Sequence, residues 1–105
     1  MRLEANLKVN MKSQLMYVGI THETAPVNER EFYALNNDQK NHLIKYLKDQ
    51  LQISSIVVLT TCNRTEVYFE AKGTQVHEVR NCIIDFVQKL HHTTLTKSSF
   101  VMLDR

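Results

Sequence analysis

The chain has 105 residues, 43% of them hydrophobic, which is enough for one domain around one core and too little for two of ordinary size. A formal net charge of +2, from 13 Lys and Arg against 11 Asp and Glu, excludes a strongly one-signed surface and leaves the partner class open. The two cysteines, Cys62 and Cys82, form no CxxC pair and stand in no Cys/His cluster, so the pattern encodes neither a disulfide framework nor a metal site and fits a reducing cytoplasm.

Residues 1–14 mix charged and apolar side chains with no period of two or of 3.6, and read as a lead-in to a domain over 15–105. No apolar stretch approaches the roughly 18 residues of a membrane span, and no leader pattern is visible. Leu15 to Ile20 reads as a strand with Met16, Val18 and Ile20 on one face, where Gly19 permits a bulge or the close approach of another chain. It ends in Thr21-His22-Glu23-Thr24-Ala25-Pro26, because Pro26 cannot continue a ladder and biases Ala25 to an extended backbone. His22 therefore stands at the C-terminal end of this strand.

Val27 to Tyr33 permits a short helical turn carrying Glu29, Arg30 and Glu31. A firmer helix covers about Asp38 to Gln50, with Asn36 or Asn37 as its cap, Gln39 completing a capping box with Asn36, and Leu43, Leu47 and Leu51 at steps of four. The apolar, β-branched run Ile56 to Leu59 reads as a buried strand. After the polar stretch Thr60 to Glu66, alternation resumes with Val67, Phe69 and Ala71 on one face and Glu66, Tyr68 and Glu70 on the other. Gly73-Thr74 supplies a turn and cap for a second helix over about Gln75 to Leu90, whose apolar stripe is Val76, Val79, Ile83, Phe86, Val87 and Leu90. His91 and His92 close that helix at the negative end of its dipole, and Phe100 to Leu103 is a last short strand.

The order predicts an α+β, ferredoxin-like βαββαβ fold: a four-stranded antiparallel sheet with two helices on one face. The first two strands, joined through a helix, run parallel and end at one edge of the sheet, so His22 and Cys62 share that edge. A thiol at a strand-to-strand tip with Arg64 two residues on suits nucleophilic chemistry, since a neighbouring guanidinium favours a thiolate and exposure keeps sulfur reachable. The competing reading is a polar hairpin with an incidental cysteine, in which Arg64 pairs with Glu66 or Glu31. Cys82 lies on the second helix's apolar stripe and reads as core. His42, His77, His91 and His92 read as solvated helix positions.

Two motifs resemble the glutamyl-tRNA reductases. Gly19-Ile20-Thr21-His22-Glu23-Thr24-Ala25-Pro26-Val27, followed by Arg30-Glu31, is similar to that family's G-x-N/S-H-K/R-T-A-P-V with its later R-E. Leu59-Thr60-Thr61-Cys62-Asn63-Arg64-Thr65-Glu66-Val67-Tyr68 resembles its L-S-T-C-N-R-T-E-x-Y. The resemblance covers Leu15 to about Arg105 and implies the N-terminal part of a catalytic domain that makes glutamate-1-semialdehyde, the first step of five-carbon tetrapyrrole (haem) biosynthesis. It implies that Cys62 takes the glutamyl group from glutamyl-tRNA as a thioester, which NADPH then reduces; that Thr61 and Arg64 line the glutamate pocket; and that Asn63 and His22 support the loop.

Thr21 stands where the family has Asn or Ser, and Glu23 where it has Lys or Arg. With two glycines and no glycine-rich nucleotide loop, this chain carries no NADPH site of its own, and no metal is implied. The family's catalytic histidine segment, cofactor domain and helical C-terminal dimerisation domain have no counterpart here. The chain is thus expected to be a cytoplasmic fragment that does not turn over alone, from an enzyme that is a homodimer and not a membrane protein. The alternative is a free-standing ferredoxin-like RNA- or protein-binding module. An RNA-reading sheet needs aromatics on its exposed face, and Tyr68 and Phe69 point oppositely.

Overall fold

The computed structural model of the chain describes residues 14–72, 74–95 and 99–104. The lead-in over 1–13 lies outside the described residues, and Gln14 already belongs to the first strand. The elements in order are β1 (Gln14–Thr21), α1 (Val27–Phe32), α2 (Asn37–Gln50), β2 (Ile53–Thr60), β3 (Arg64–Ala71), α3 (Val76–His91) and β4 (Val101–Asp104). The four strands form one sheet in the order β2-β3-β1-β4, each neighbouring pair antiparallel, so the ferredoxin-like arrangement is the observed one. Both β1 and β2 run opposite to β3 and therefore parallel to each other.

The helices form where sequence and packing agree. In α2, Asn36 caps the first turn: its side chain accepts from the Gln39 N–H at 2.8 Å, and the Gln39 side chain accepts from the Asn36 N–H at 2.9 Å. Leu43 and Leu47, one turn apart, have no exposed surface, and burying each contributes about 1.5–3 kcal/mol. In α3 the cap is not Thr74 but Gln75, whose N–H donates to Glu78 Oε1 at 2.8 Å. The Thr74 hydroxyl instead donates to the Gln52 carbonyl at 3.3 Å, tying the turn to the start of β2. The helix ends at His92 in a left-handed conformation (φ 52°). His91 is exposed, yet its Nε2 lies 3.0 Å from the Phe32 carbonyl oxygen and its ring meets Phe32 edge-on, which anchors α1.

One face of the sheet, with Met16, Val18, Ile20, Val58, Val67, Phe69 and Ala71, packs against Leu43, Leu47, Val79, Ile83 and Val87 of α2 and α3. Cys82 is partly buried against this core, and burial first, then the negative charges of Asp85 and Glu78, pushes its thiol up. The two helices are joined on their outer side, where the Tyr46 hydroxyl donates to Asp85 Oδ2 at 2.6 Å and Lys89 Nζ meets the same carboxylate at 3.2 Å. Among the described residues no helix lies on the opposite sheet face. Its cross-strand register lines up Val57, Tyr68, Tyr17 and Leu103, with Leu15, Leu59 and Val101 around them. Among the described residues no helix is long and apolar enough to cross a membrane.

Candidate active site

The antiparallel hairpin of β2 and β3 makes the tip on which Cys62 stands. The ladder runs to Thr60↔Thr65, the Thr61 N–H then donates to the Arg64 carbonyl at 2.8 Å, and Cys62 and Asn63 form the exposed crown. Thr61 shapes the crown, because its Oγ1 accepts from the Asn63 N–H at 3.2 Å. Cys62 is a free, exposed thiol.

The second contribution comes from the end of β1. Thr21 pairs with Arg64, and the next residue, His22, donates its backbone N–H to the Asn63 carbonyl at 2.8 Å. The shared edge expected from the topology is therefore a direct contact, with His22 exposed beside the thiol's neighbour. Thr21 holds the His22 turn: its carbonyl accepts from the N–H groups of Thr24 and Ala25 at 3.0 Å each, and its Oγ1 from Glu23 N–H at 3.2 Å. The threonine at this departure position thus has a local structural use, while Glu23 is exposed.

Beneath the tip, the covered face is closed by a polar tie. Thr65 Oγ1 donates to the Tyr33 carbonyl at 2.7 Å and lies 3.0 Å from Thr60 Oγ1, which accepts from the Leu35 N–H at 3.4 Å. Tyr33 is buried, with its ring edge-on to Phe100 at 5.1 Å. The segment between α1 and α2 is thereby tied under the hairpin that carries the thiol loop.

On the open face, Arg64 pairs with Glu66 (Nη1–Oε1, 3.6 Å), the partner foreseen for it in the incidental-hairpin reading. The Arg64 side chain is 46% exposed and that of Glu66 only 8%. Glu66 also accepts from the Tyr17 hydroxyl at 2.7 Å and from the Tyr68 hydroxyl at 3.4 Å. Burial, then the hydrogen bond to Glu66 and its negative charge, pushes the Tyr17 phenol well above the ordinary tyrosine value; burial and the Glu66 charge push Tyr68 up too. The two tyrosine rings are 5.1 Å apart and, with Glu66, Leu15, Met16 and Leu103, line a groove of about 410 Å³.

Sequence reasoning missed this cluster. Alternation places Tyr17, Gly19, Glu66 and Tyr68 on the uncovered face, but a glutamate there reads as solvated. The comparison of Tyr68 with Phe69 also overlooked Tyr17, which is the aromatic that pairs with Tyr68 across the strands. The available signal was Gly19: no bulge occurs there, and the close approach it permits is that of the Tyr17 ring itself. Among the described residues no three or more His, Cys, Asp or Glu side chains are grouped so as to hold a metal ion.

Comparison with known proteins bears on this geometry. A family model described as "Glutamyl-tRNAGlu reductase, N-terminal domain" matches residues 18–104, a span that contains His22, the Cys62 loop, Arg64 and Glu66. Curated relatives include the glutamyl-tRNA reductase of Natranaerobius thermophilus, 38% identical over 73 residues, covering 70% of this chain and 16% of the relative. That of Aliivibrio salmonicida is 39% identical over 82 residues, covering 77% of this chain and 19% of the relative. Among solved structures, glutamyl-tRNA reductase from Methanopyrus kandleri superposes with a TM-score of 0.50 at 32% identity, covering 66% of this chain and 16% of that one. The chain thus spans less than a fifth of the length of the proteins it matches.

Proposed function

Since this chain belongs to the glutamyl-tRNA reductase family, we propose that it is the N-terminal, nucleophile-bearing part of such an enzyme and that Cys62 receives the glutamyl group of glutamyl-tRNA. The observation that carries this reading is the presentation of one free, exposed thiol on a tip held from both sides, by the Thr61–Arg64 closure and by the His22–Asn63 bond. In the proposed step the Cys62 sulfur attacks the ester carbonyl that joins glutamate to the terminal ribose. The carbon–sulfur bond forms as the carbon–oxygen bond breaks, and the ribose hydroxyl leaves with the proton that the thiol gave up, with no change in oxidation state. A thioester is more electrophilic than the oxygen ester, so the group is left activated for reduction.

Arg64 suits the recognition of the substrate's carboxylate, because a guanidinium offers paired N–H donors to two carboxylate oxygens and this one is half exposed. Thr61, Asn63 and His22 act through loop geometry. NADPH, which the family reading implies as reductant, does not fit this chain's own residues. Of its two glycines, Gly19 lies in a strand under Tyr17 and Gly73 lies outside the described residues, and neither begins a glycine-rich phosphate loop. No hydride step is therefore assigned to these residues. The domain proper is proposed to begin with β1 and to run to the end of the chain. Cytoplasmic location and dimerisation through a further domain belong to the same proposal.

Two measurements test it. In the folded chain, iodoacetamide should label Cys62 well before Cys82, read by peptide mass spectrometry. In the complete reductase, Cys62→Ser should stop accumulation of the glutamyl thioester and formation of the aldehyde, and a Cys62→Ser enzyme of normal reductase activity would refute the assignment.

A further inference from the structure

The buried carboxylate beside Arg64 poses a problem for the proposed pocket. Glu66 lies within 3.6 Å of the guanidinium, and a tight pair would occupy the donors that a substrate carboxylate needs. The Arg64–Glu66 contact is nevertheless loose, and the short bond made by Glu66 goes to Tyr17 instead, at 2.7 Å. That bond depends on Gly19, which sits directly across from Glu66 in the ladder. A Cβ on residue 19 would run into Oη and Cζ of Tyr17, so only glycine lets this ring lie back over the strand and reach the carboxylate. Tyr68 adds a second, longer donor from β3 itself.

We propose that Tyr17 is a positioning residue: its phenol, folded over Gly19, satisfies the Glu66 carboxylate and so leaves the Arg64 guanidinium available to an anionic group arriving at the thiol loop. Glu66 then serves as a tether that orients Arg64 without neutralising it, because a hydrogen bond from a phenol spreads its charge without adding a competing cation. Among the described residues the titratable groups that meet Glu66 are Tyr17, Tyr68 and Arg64. The inference rests on the reading of Arg64 as the anion holder given above, and deepens it by naming what sets its availability.

The test uses this chain and two alkylating probes of similar size and opposite demand, anionic iodoacetate and neutral iodoacetamide, with rates at Cys62 resolved by peptide mass spectrometry. The ratio of the two rates reports positive charge available at the loop, whereas a loosened fold changes both rates together and leaves the ratio alone. Tyr17→Phe should lower the ratio by about threefold, the scale of one exposed ion pair. Glu66→Gln should raise it, and adding Tyr17→Phe to Glu66→Gln should change it no further, since no carboxylate then needs the phenol. A ratio that responds to Arg64→Gln but not to Tyr17→Phe, or a Glu66→Gln variant whose ratio does not rise, overturns the positioning role alone. A ratio indifferent to Arg64→Gln overturns both this role and the Arg64 assignment.

Discussion

Replacing Gly19 by alanine isolates the cross-strand device on the open face. A Cβ at residue 19 collides with the Tyr17 ring end, and because that end is a movable side chain, the ring swings away while the strand holds. Moving it sacrifices the 2.7 Å bond to Glu66, and a hydrogen bond to a charged group is worth about 1.5–3 kcal/mol. Alanine in a strand recovers about 0.5–1 kcal/mol relative to glycine. Gly19→Ala should therefore destabilise the chain by about 1–2 kcal/mol, the difference between these two effects. At about 4–8 °C per kcal/mol for a domain of this size, the melting temperature should fall by roughly 4–16 °C. The assay is urea unfolding followed by far-UV circular dichroism, run as a cycle with Tyr17→Ala. In the Tyr17→Ala background the ring atoms nearest the added Cβ are gone, so Gly19→Ala should be neutral or slightly stabilising. An equal loss in both backgrounds would show that the glycine serves the backbone and not Tyr17.

Leu47→Ala, at a position with no exposed surface between α2 and the sheet, should cost about 2–5 kcal/mol, measured by the urea midpoint at unchanged slope. The Tyr46–Asp85 pair predicts opposite effects at the two ends of the pH scale. The hydrogen bond to Asp85 first, then burial, pushes Tyr46 up to about 12, so its contribution is complete below the unfolded value of about 10 and is lost as pH rises through about 12. Tyr46's bond first, then Lys89's, holds Asp85 below the usual carboxylate range, so that contribution is present above about pH 4 and is lost as pH falls below it. Stability against pH for Tyr46→Phe should therefore be flatter than for the parent on both limbs, and a parallel curve would refute the pairing.

The elements legible in the sequence are those whose local and long-range demands coincide. In α2 the capping box, the leucine stripe and the core all require the same helix, and its start is displaced by only one residue, from Asp38 to Asn37. The start of β2 was less legible, because the apolar run begins only at Ile56 and the serines before it carry no strand signal. In the fold they lie within the strand: Ser54 Oγ donates to the Glu70 carbonyl at 3.0 Å, Ser55 Oγ donates to the Glu70 carboxylate at 3.1 Å, and a register shift between Ile53 and Ser55 absorbs the irregularity. The proximity of His22 to the Cys62 loop was legible because the handedness and shortness of connections leave few topologies to choose from. The burial of Glu66 was not, since it involves a tyrosine on another strand lying back over a glycine, and Gly19, the one local sign of that contact, does not point to Glu66.

The bond between His22 and Asn63 also has a consequence in time. The hairpin of β2 and β3 joins neighbours in the chain and closes at small entropic cost, whereas β1 reaches β3 only across the whole of α1, α2 and β2. The crown that bears the thiol thus belongs to the quickly formed part of the molecule, and its second support to the slowly formed part. A chain whose first strand has not yet docked carries its sulfur on a hairpin held from one side, and the arrival of His22 marks the moment at which the reactive tip acquires a fixed shape.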